Sequence, residues 1–142
     1  MSAKTSPFLI CRDCTCSALR RASRAVTQHF EAYFRGTGLR ATQFTVLAAL
    51  AQTGPLAISL LAAELGLERT SLTRNLRPLE KKGFVVTLAD DDQRIRLIKI
   101  TKRGEAAALA ALGAWKRAQS SVGEVLNRSG VRERLITDKR RI

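Results

Sequence analysis

The stretch GLERTSLTRNLRPLEKKGFVV, residues 66–86, decides the fold that we predict for this chain. Gly66 lies between two short amphipathic segments, and glycine tolerates the backbone conformation of a sharp reversal. We therefore expect a helix over 60–65, a turn at Gly66, and a second helix over 69–82. Two short helices joined in this way are typical of a helix-turn-helix, whose second helix enters the major groove of DNA.

The second of these helices has two chemically different faces. Leu72, Leu76 and Leu79 recur at the spacing of one helical face, which predicts that they pack inward. The opposite face carries hydroxyls and cations but no carboxylate, and this pattern suits contacts with bases and phosphates. An ordinary amphipathic helix with a solvated face is the alternative. The residues predicted to contact DNA from this helix are Arg69, Thr70, Ser71, Thr73, Arg74, Asn75 and Arg77.

Pro78 lies inside this predicted helix. It has no backbone N–H to donate to the carbonyl of Arg74, and its ring disfavours a helical conformation at Arg77. We therefore predict a kink or an early end near Pro78, with a regular helix over 69–76.

The hydrophobic period changes after Gly83, and this change predicts a β-hairpin. Residues 84–88 are rich in strand-forming types, 89–93 are polar and typical of a turn, and 94–100 alternate in character. A hairpin that follows a helix-turn-helix is expected to form a wing beside the second helix.

The predicted wing carries three further candidate DNA contacts. Arg94, near the tip, is expected to enter the minor groove, where arginine gains from the focused negative potential. Asp92 is expected to hold the guanidinium of Arg94 by a charge-assisted hydrogen bond. Arg96 is expected to contact a phosphate, and the alternative for all three is a plain surface hairpin with charged edges.

Long helices are predicted on both sides of this central region, because apolar residues there recur three or four positions apart. Asp13 or Thr15 is expected to be the N-cap of the first helix. The chain is therefore predicted to be mostly α-helical with a small β-hairpin. In chain order, we expect an irregular segment over 1–12, helices over 13–35, 42–52, 60–65 and 69–82, strands over 56–58, 84–88 and 94–100, and helices over 102–126 and 131–142.

The charge of the chain indicates a polyanionic partner. Its 142 residues include 25 Lys and Arg and 12 Asp and Glu, which gives a formal net charge of +13. Such a charge favours nucleic acid or an anionic membrane surface, and the helix-turn-helix favours nucleic acid. We find no apolar run near the ~18 residues of a membrane span and no leader sequence, so we expect a cytoplasmic, nucleoid-associated protein.

Four segments of the chain resemble the MarR family of transcriptional regulators. The resemblance spans about 14–125 and is strongest over 42–104. It implies a winged helix-turn-helix homodimer that binds a pseudo-palindromic operator, often as a repressor that a small ligand or oxidation releases. In that family the first and last helices build the dimer. The segments are GLERTSLTR at 66–74, LEKKGFV at 79–85, DQR at 92–94 and LIKIT at 97–101.

The resemblance also implies a domain organisation. Residues 1–12 would be a flexible segment, 13–40 an N-terminal dimerisation helix, 41–101 the winged helix-turn-helix and 102–142 the C-terminal dimerisation helices. The expected partners are double-stranded DNA and a second copy of the chain, with a small-molecule effector as a further candidate. We expect no cofactor and no membrane partner.

Three cysteines, Cys11, Cys14 and Cys16, lie within six positions of one another. An odd number of cysteines in an intracellular chain argues against a disulfide framework. Cys14 and Cys16 lie near a helix N-terminus, where the dipole favours the thiolate. Three interpretations remain open: inert thiols, a redox sensor, or a site for a soft ion such as zinc or arsenite.

Two functional classes remain as alternatives. The first is a sequence-specific regulator, and the second is a non-specific architectural nucleic-acid-binding protein, which the net charge would also suit. An enzyme is not expected, because the chain has no Gly-rich phosphate loop, no evident catalytic pair of carboxylates and a single histidine.

Overall fold

The computed structural model describes residues 6–89, 91–92 and 94–128, with side chains to 124. The predicted fold class is confirmed, because helices predominate and the strands form one small sheet. The helix predicted over 131–142 lies outside the described residues. After a 3₁₀ helix at Pro7–Asp13, the elements are α1 (Thr15–Phe34), α2 (Ala41–Thr53), β1 (Leu56–Ala57), α3 (Ile58–Leu65), α4 (Arg69–Lys81), β2 (Val85–Ala89), β3 (Arg96–Ile100) and α5 (Lys102–Arg128).

From residue 6 onward, the N-terminal segment is more regular than predicted. Pro7–Asp13 forms a 3₁₀ helix within the segment expected to be irregular, and the Ser6 hydroxyl accepts a hydrogen bond from the Phe8 N–H at 3.3 Å. Helix α1 begins at Thr15 with Cys14 in the N-cap position. Asp13 and Thr15, the two predicted N-caps of α1, are therefore both wrong. The 3₁₀ helix includes Asp13, so Cys14 is the residue between the two helices and takes the N-cap position.

The predicted hairpin is confirmed, and a third strand joins it. The strand order is β1-β3-β2, with both pairs antiparallel, so β3 lies in the centre of the sheet. Leu56 is opposite Ile98 on one side, and Val85 is opposite Ile100 on the other. Strand β3 begins two residues later than predicted because the N–H of Ile95 bonds the carbonyl of Asp92 at 2.8 Å and extends the turn.

The core lies where α2 packs against α3, α4, the sheet and α5. Leu47 and Leu50 of α2 are fully buried. The ring of Phe44 stacks on Trp115 of α5, with 6.3 Å between ring centres. These contacts hold the sheet and the helix-turn-helix against the long C-terminal helix.

Helix α4 continues through Pro78 to Lys81, so the predicted early end of the helix is wrong. Leu76 and Leu79, on either side of Pro78, are both buried, and both need the helical conformation to reach the core. The N–H of Lys82 donates to the carbonyl of Pro78 at 3.1 Å, which closes the last turn. Burial of the flanking leucines thus outweighs the backbone hydrogen bond that proline lacks.

Within the described ranges, none of the helices combines the length and the hydropathy that a membrane span requires.

Candidate nucleic-acid interface

The turn between α3 and α4 determines how α4 is presented. Gly66 adopts the left-handed conformation, with φ 62° and ψ 32°. Its N–H donates to the carbonyl of Ala63 at 3.2 Å, and the N–H of Leu67 donates to Ala62 at 2.9 Å. These bonds satisfy carbonyls that the end of α3 would otherwise leave free. A side chain at Gly66 would be strained at this positive φ, so glycine here permits the reversal.

The two faces of α4 are divided as the periodicity predicts. Leu72, Leu76 and Leu79 are buried. On the other side, five side chains are exposed: Arg69, Thr70, Arg74, Arg77 and Lys81. The cationic face lines a shallow surface depression of about 380 Å³, which is bordered by Arg69, Thr70, Thr73, Arg74 and Arg77. The guanidinium groups on this face form a surface that attracts phosphates and can donate paired hydrogen bonds to guanine.

The remaining predicted contacts on α4 are less accessible. Ser71, Thr73 and Asn75 are half-buried. The hydroxyl of Thr73 donates to the carbonyl of Arg69 at 2.9 Å, and the amide of Asn75 donates to the carbonyl of Ser71 at 2.9 Å. Each group therefore uses one donor within the helix and has less hydrogen-bonding capacity left for a base. The arginines are therefore the strongest candidates for base and phosphate contact.

At the wing, Asp92 has a different role from the predicted one. Its carboxylate accepts a hydrogen bond from the backbone N–H of Arg94 at 3.1 Å, whereas the prediction paired it with the guanidinium. The reason is local, because a carboxylate two residues before an N–H readily closes a turn of this kind. Arg94 and Arg96 are both exposed, so their side chains are available to a partner.

A contact that the sequence did not indicate joins the wing to α4. The hydroxyl of Thr87, in β2, donates to the carboxylate of Glu80 at 2.6 Å. This hydrogen bond connects the first wing strand to the C-terminal turn of α4. No motif or periodicity signals it, because the pairing depends on how β2 leaves the end of the helix.

The three cysteines are free and exposed around the start of α1. Hydrogen bonding from the backbone N–H of Ser17 is the main influence that lowers the pKa of the Cys14 thiol below its ordinary value. Arg20 donates a hydrogen bond to the sulfur of Cys16 at 3.6 Å. In the part of the chain that the structure describes, no three His, Cys, Asp or Glu side chains are grouped to hold a metal ion. The three thiols thus lack a preformed metal geometry.

Other exposed apolar side chains lie on α1, on α5 and on the 3₁₀ helix that precedes α1. Large apolar side chains there face solvent, although α1 packs along α5. Ile10 is 84% exposed, Leu19 59% and Leu109 70%. We call this set the apolar helix surface, and its members are Phe8, Leu9, Ile10, Leu19, Val26 and Leu109.

Comparison with known proteins identifies relatives of one kind. The model of the family described as "MarR family" matches residues 39–95. The Mycobacterium tuberculosis transcriptional regulator MosR matches with 34% identity and a TM-score of 0.77, over 88% of this chain and 92% of that chain. A second MosR structure, in complex with DNA, matches with 33% identity and a TM-score of 0.74, over 90% and 95% of the two chains.

Two curated relatives match over a shorter region. The HTH-type transcriptional regulator SarZ of Staphylococcus epidermidis is 32% identical over 59% of this chain and 57% of its own length. The uncharacterized HTH-type transcriptional regulator YwoH of Bacillus subtilis is 26% identical over 61% of this chain and 64% of its own length. The chain therefore spans less than two thirds of the length of these curated relatives.

Proposed function

The chain belongs to the MarR family of winged-helix transcriptional regulators, and we propose that it is a repressor that binds a pseudo-palindromic DNA operator as a homodimer. The exposed cationic face of α4, opposite its buried leucines, is the observation that carries this proposal. The MosR complex with DNA supports the choice of partner. This role requires no catalysis and assigns the protein to the nucleoid of the cytoplasm.

In the proposed complex, α4 lies in the major groove and the wing lies beside it. Arg74 and Arg77 read guanine edges, because a guanidinium can bond both acceptors of guanine at once. Arg69, at the start of α4, contacts a phosphate, and Arg94 of the wing follows the adjacent minor groove. Phosphate contacts supply affinity, and the base contacts supply specificity.

Arg74→Ala tests this assignment directly. We expect its binding to the cognate duplex to weaken by about 1–3 kcal/mol, with a smaller loss on random duplex, because a base contact is lost. Fluorescence anisotropy at one fixed salt concentration measures both affinities, on a duplex selected from a random library. Arg117→Ala, which removes the same charge from the exposed surface of α5, serves as the control and should lack this difference between the two duplexes.

An equal loss on both duplexes would argue for the second candidate function, a non-specific architectural DNA-binding protein. The net charge of +13 favours this candidate. The two functions differ in the ratio of specific to random affinity at physiological salt. A ratio below about 10³ would favour the architectural role.

We propose that the homodimer forms through the apolar helix surface. A surface of this kind in a single copy exposes side chains that water solvates poorly, and a second copy would cover them. Two-fold symmetry would then present two α4 helices to the two halves of the operator. Truncation of a side chain on this surface should therefore weaken the dimer.

Release from DNA by thiol oxidation is the form of regulation that we propose, with a small-molecule effector as the alternative. The lowered pKa of Cys14 raises its thiolate fraction at neutral pH, and the thiolate is the reactive form. Attack on hydrogen peroxide would give a sulfenic acid and hydroxide. A neighbouring thiol would then form a disulfide and release water.

Titration with hydrogen peroxide while DNA binding is followed tests this mode of release. Wild-type protein should leave the selected duplex as peroxide increases, and Cys14→Ser should remain bound. Iodoacetamide labelling of Cys14 should reach half its maximal rate at a pH below that of an ordinary thiol, because its pKa is lowered. Release of Cys14→Ser at the same peroxide concentration would reject Cys14 as the sensor and favour an organic ligand.

A further inference from the structure

Lys82, the first residue after α4, connects that helix to a distant part of the chain. Its ammonium Nζ donates a hydrogen bond to the carbonyl oxygen of Gly38 at 2.7 Å, in the loop between α1 and α2. The same Nζ lies 5.9 Å from the centre of the Phe84 ring. The end of α4 is therefore tied to the loop that joins α1 to α2.

The opposite side of the same segment is held by the start of α5. The hydroxyl of Thr101 donates to the carbonyl of Gly83 at 2.6 Å, and the N–H of Thr101 donates to the carbonyl of Phe84 at 3.0 Å. Gly104 lies so close to this backbone that an added Cβ would overlap the carbonyl oxygen of Phe84. Residues 82–84 are thus held between the α1–α2 loop and the first turn of α5.

These two attachments differ in how firmly they hold. The α5 side combines two backbone-directed hydrogen bonds with a contact that leaves no room for a side chain. The α1 side depends on the Lys82 ammonium, which borders a surface depression of about 430 Å³. Arg35 and Arg40 line the same depression, and the carboxylate of Glu31 there already accepts the N–H of Ala41 at 3.1 Å. The Lys82 bond is therefore the more easily broken of the two.

We propose that Lys82 is a positioning residue that determines the spacing between the two α4 helices of the dimer. This inference rests on the proposed function, in which α1 and α5 form the dimer and α4 enters the groove. Helix-turn-helix dimers read half-sites about one helical turn apart, so the distance between the two recognition helices selects the spacer length. Packing against α3, α2 and β2 already places the body of α4. The bond from Lys82 to Gly38 adds a restraint between the end of α4 and the α1–α2 loop, so that a spacer of the wrong length is penalised.

Binding to duplexes of different spacer length tests this inference. The probe is a palindromic duplex selected from random DNA, together with versions whose central spacer is one base pair shorter or longer. Lys82→Met should reduce the preference for the original spacer by about threefold, since the lost hydrogen bond to the ammonium is exposed to solvent. Lys82→Arg keeps the cation and should retain most of the preference.

Lys81→Met is the matched control, because it removes the same charge from the neighbouring position without removing the bond to Gly38. It should change affinity for all three duplexes by one common factor. Thermal unfolding of each variant monitors the fold, and Lys82→Gln, which keeps a donor without the charge, replaces Lys82→Met if that variant does not fold.

An unchanged spacer preference in Lys82→Met, or an equal loss on all three duplexes in that variant, would overturn the inference. Failure of the wild-type protein to prefer the selected duplex over random DNA is a different result, because it would reject the proposed function itself.

Discussion

Helices α1 and α4 both carry an amphipathic repeat, but only α4 has its apolar face covered by the same chain. Leu72 and Leu79 of α4 are fully buried beneath the sheet and the neighbouring helices. In α1, Phe34 is the buried residue, and Leu19 remains 59% exposed. A repeat of apolar residues thus predicts a helix and the direction of its face, but it does not identify what covers that face.

The difference follows from the position of each helix. α4 lies between α3 and β2 and also contacts α2, so neighbours from the same chain surround its leucines. α1 packs mainly along α5, and residues 18–28 of it are all exposed. We therefore expect substitutions in α4 to act on the folding of one chain, and substitutions on the outer face of α1 to act on association.

Leu72→Ala should give the largest effect on stability. Leu72 is fully buried, so truncation loses transfer free energy and leaves a cavity. We expect the free energy of unfolding to fall by about 2–5 kcal/mol, measured by urea denaturation at several protein concentrations. If Leu72→Ala lowered the free energy of unfolding only at low protein concentration, the stability of α4 would also depend on association between chains.

Gly104→Ala should give the next largest effect, because the first turn of α5 lies directly against the backbone of Phe84. The added methyl would overlap the Phe84 carbonyl oxygen and press on Ile100, and we expect a loss of about 1–3 kcal/mol in unfolding free energy. Gly113→Ala in the same helix is the control.

At Gly113 the nearest atom to an added Cβ is the flexible end of Arg117, 3.4 Å away. Alanine favours the helix over glycine by about 1 kcal/mol, so Gly113→Ala should be neutral or stabilising in the same urea experiment. Equal losses at both positions would show that the close approach at Gly104 is not what limits substitution.

Leu19→Ala should have the smallest effect on folding and a selective effect on the dimer. We expect the dissociation constant of the dimer to rise by about tenfold, because the side chain loses apolar area that a partner would cover. Sedimentation equilibrium measures this constant. Leu60→Ala in α3 is the matched control, since Leu60 is 60% exposed and Leu19 59%. A similar rise for both variants would remove the apolar helix surface as the interface.

The candidate site was partly predictable from the sequence. The spacing of Leu72, Leu76 and Leu79 correctly assigned the inner face of α4, and so it also indicated where the arginines of the outer face lie. DNA contact by those arginines stays a prediction. At Asp92, residue type suggested a bond with the guanidinium of Arg94, whereas the hydrogen bond in the structure comes from the backbone N–H of Arg94.

Other parts of the site depended on distant contacts. Glu80 with Thr87 and Lys82 with Gly38 pair residues that no local period relates. The continuation of α4 through Pro78 has the same origin. The backbone preference of proline favours the end of α4 near Pro78. Burial of Leu76 and Leu79 on either side keeps this stretch helical instead.

Local pattern alone was sufficient for the order of helices and strands, the reversal at Gly66 and the two faces of α4, because these depend on backbone preference and on the period of side chains along one element. The place of β1 in the sheet, the path through Pro78 and the attachments of Lys82 and Gly104 required the folded chain. Each of these depends on residues that are far apart in sequence and that packing brings into contact. The pattern of residue types along one element does not show which distant residues will meet.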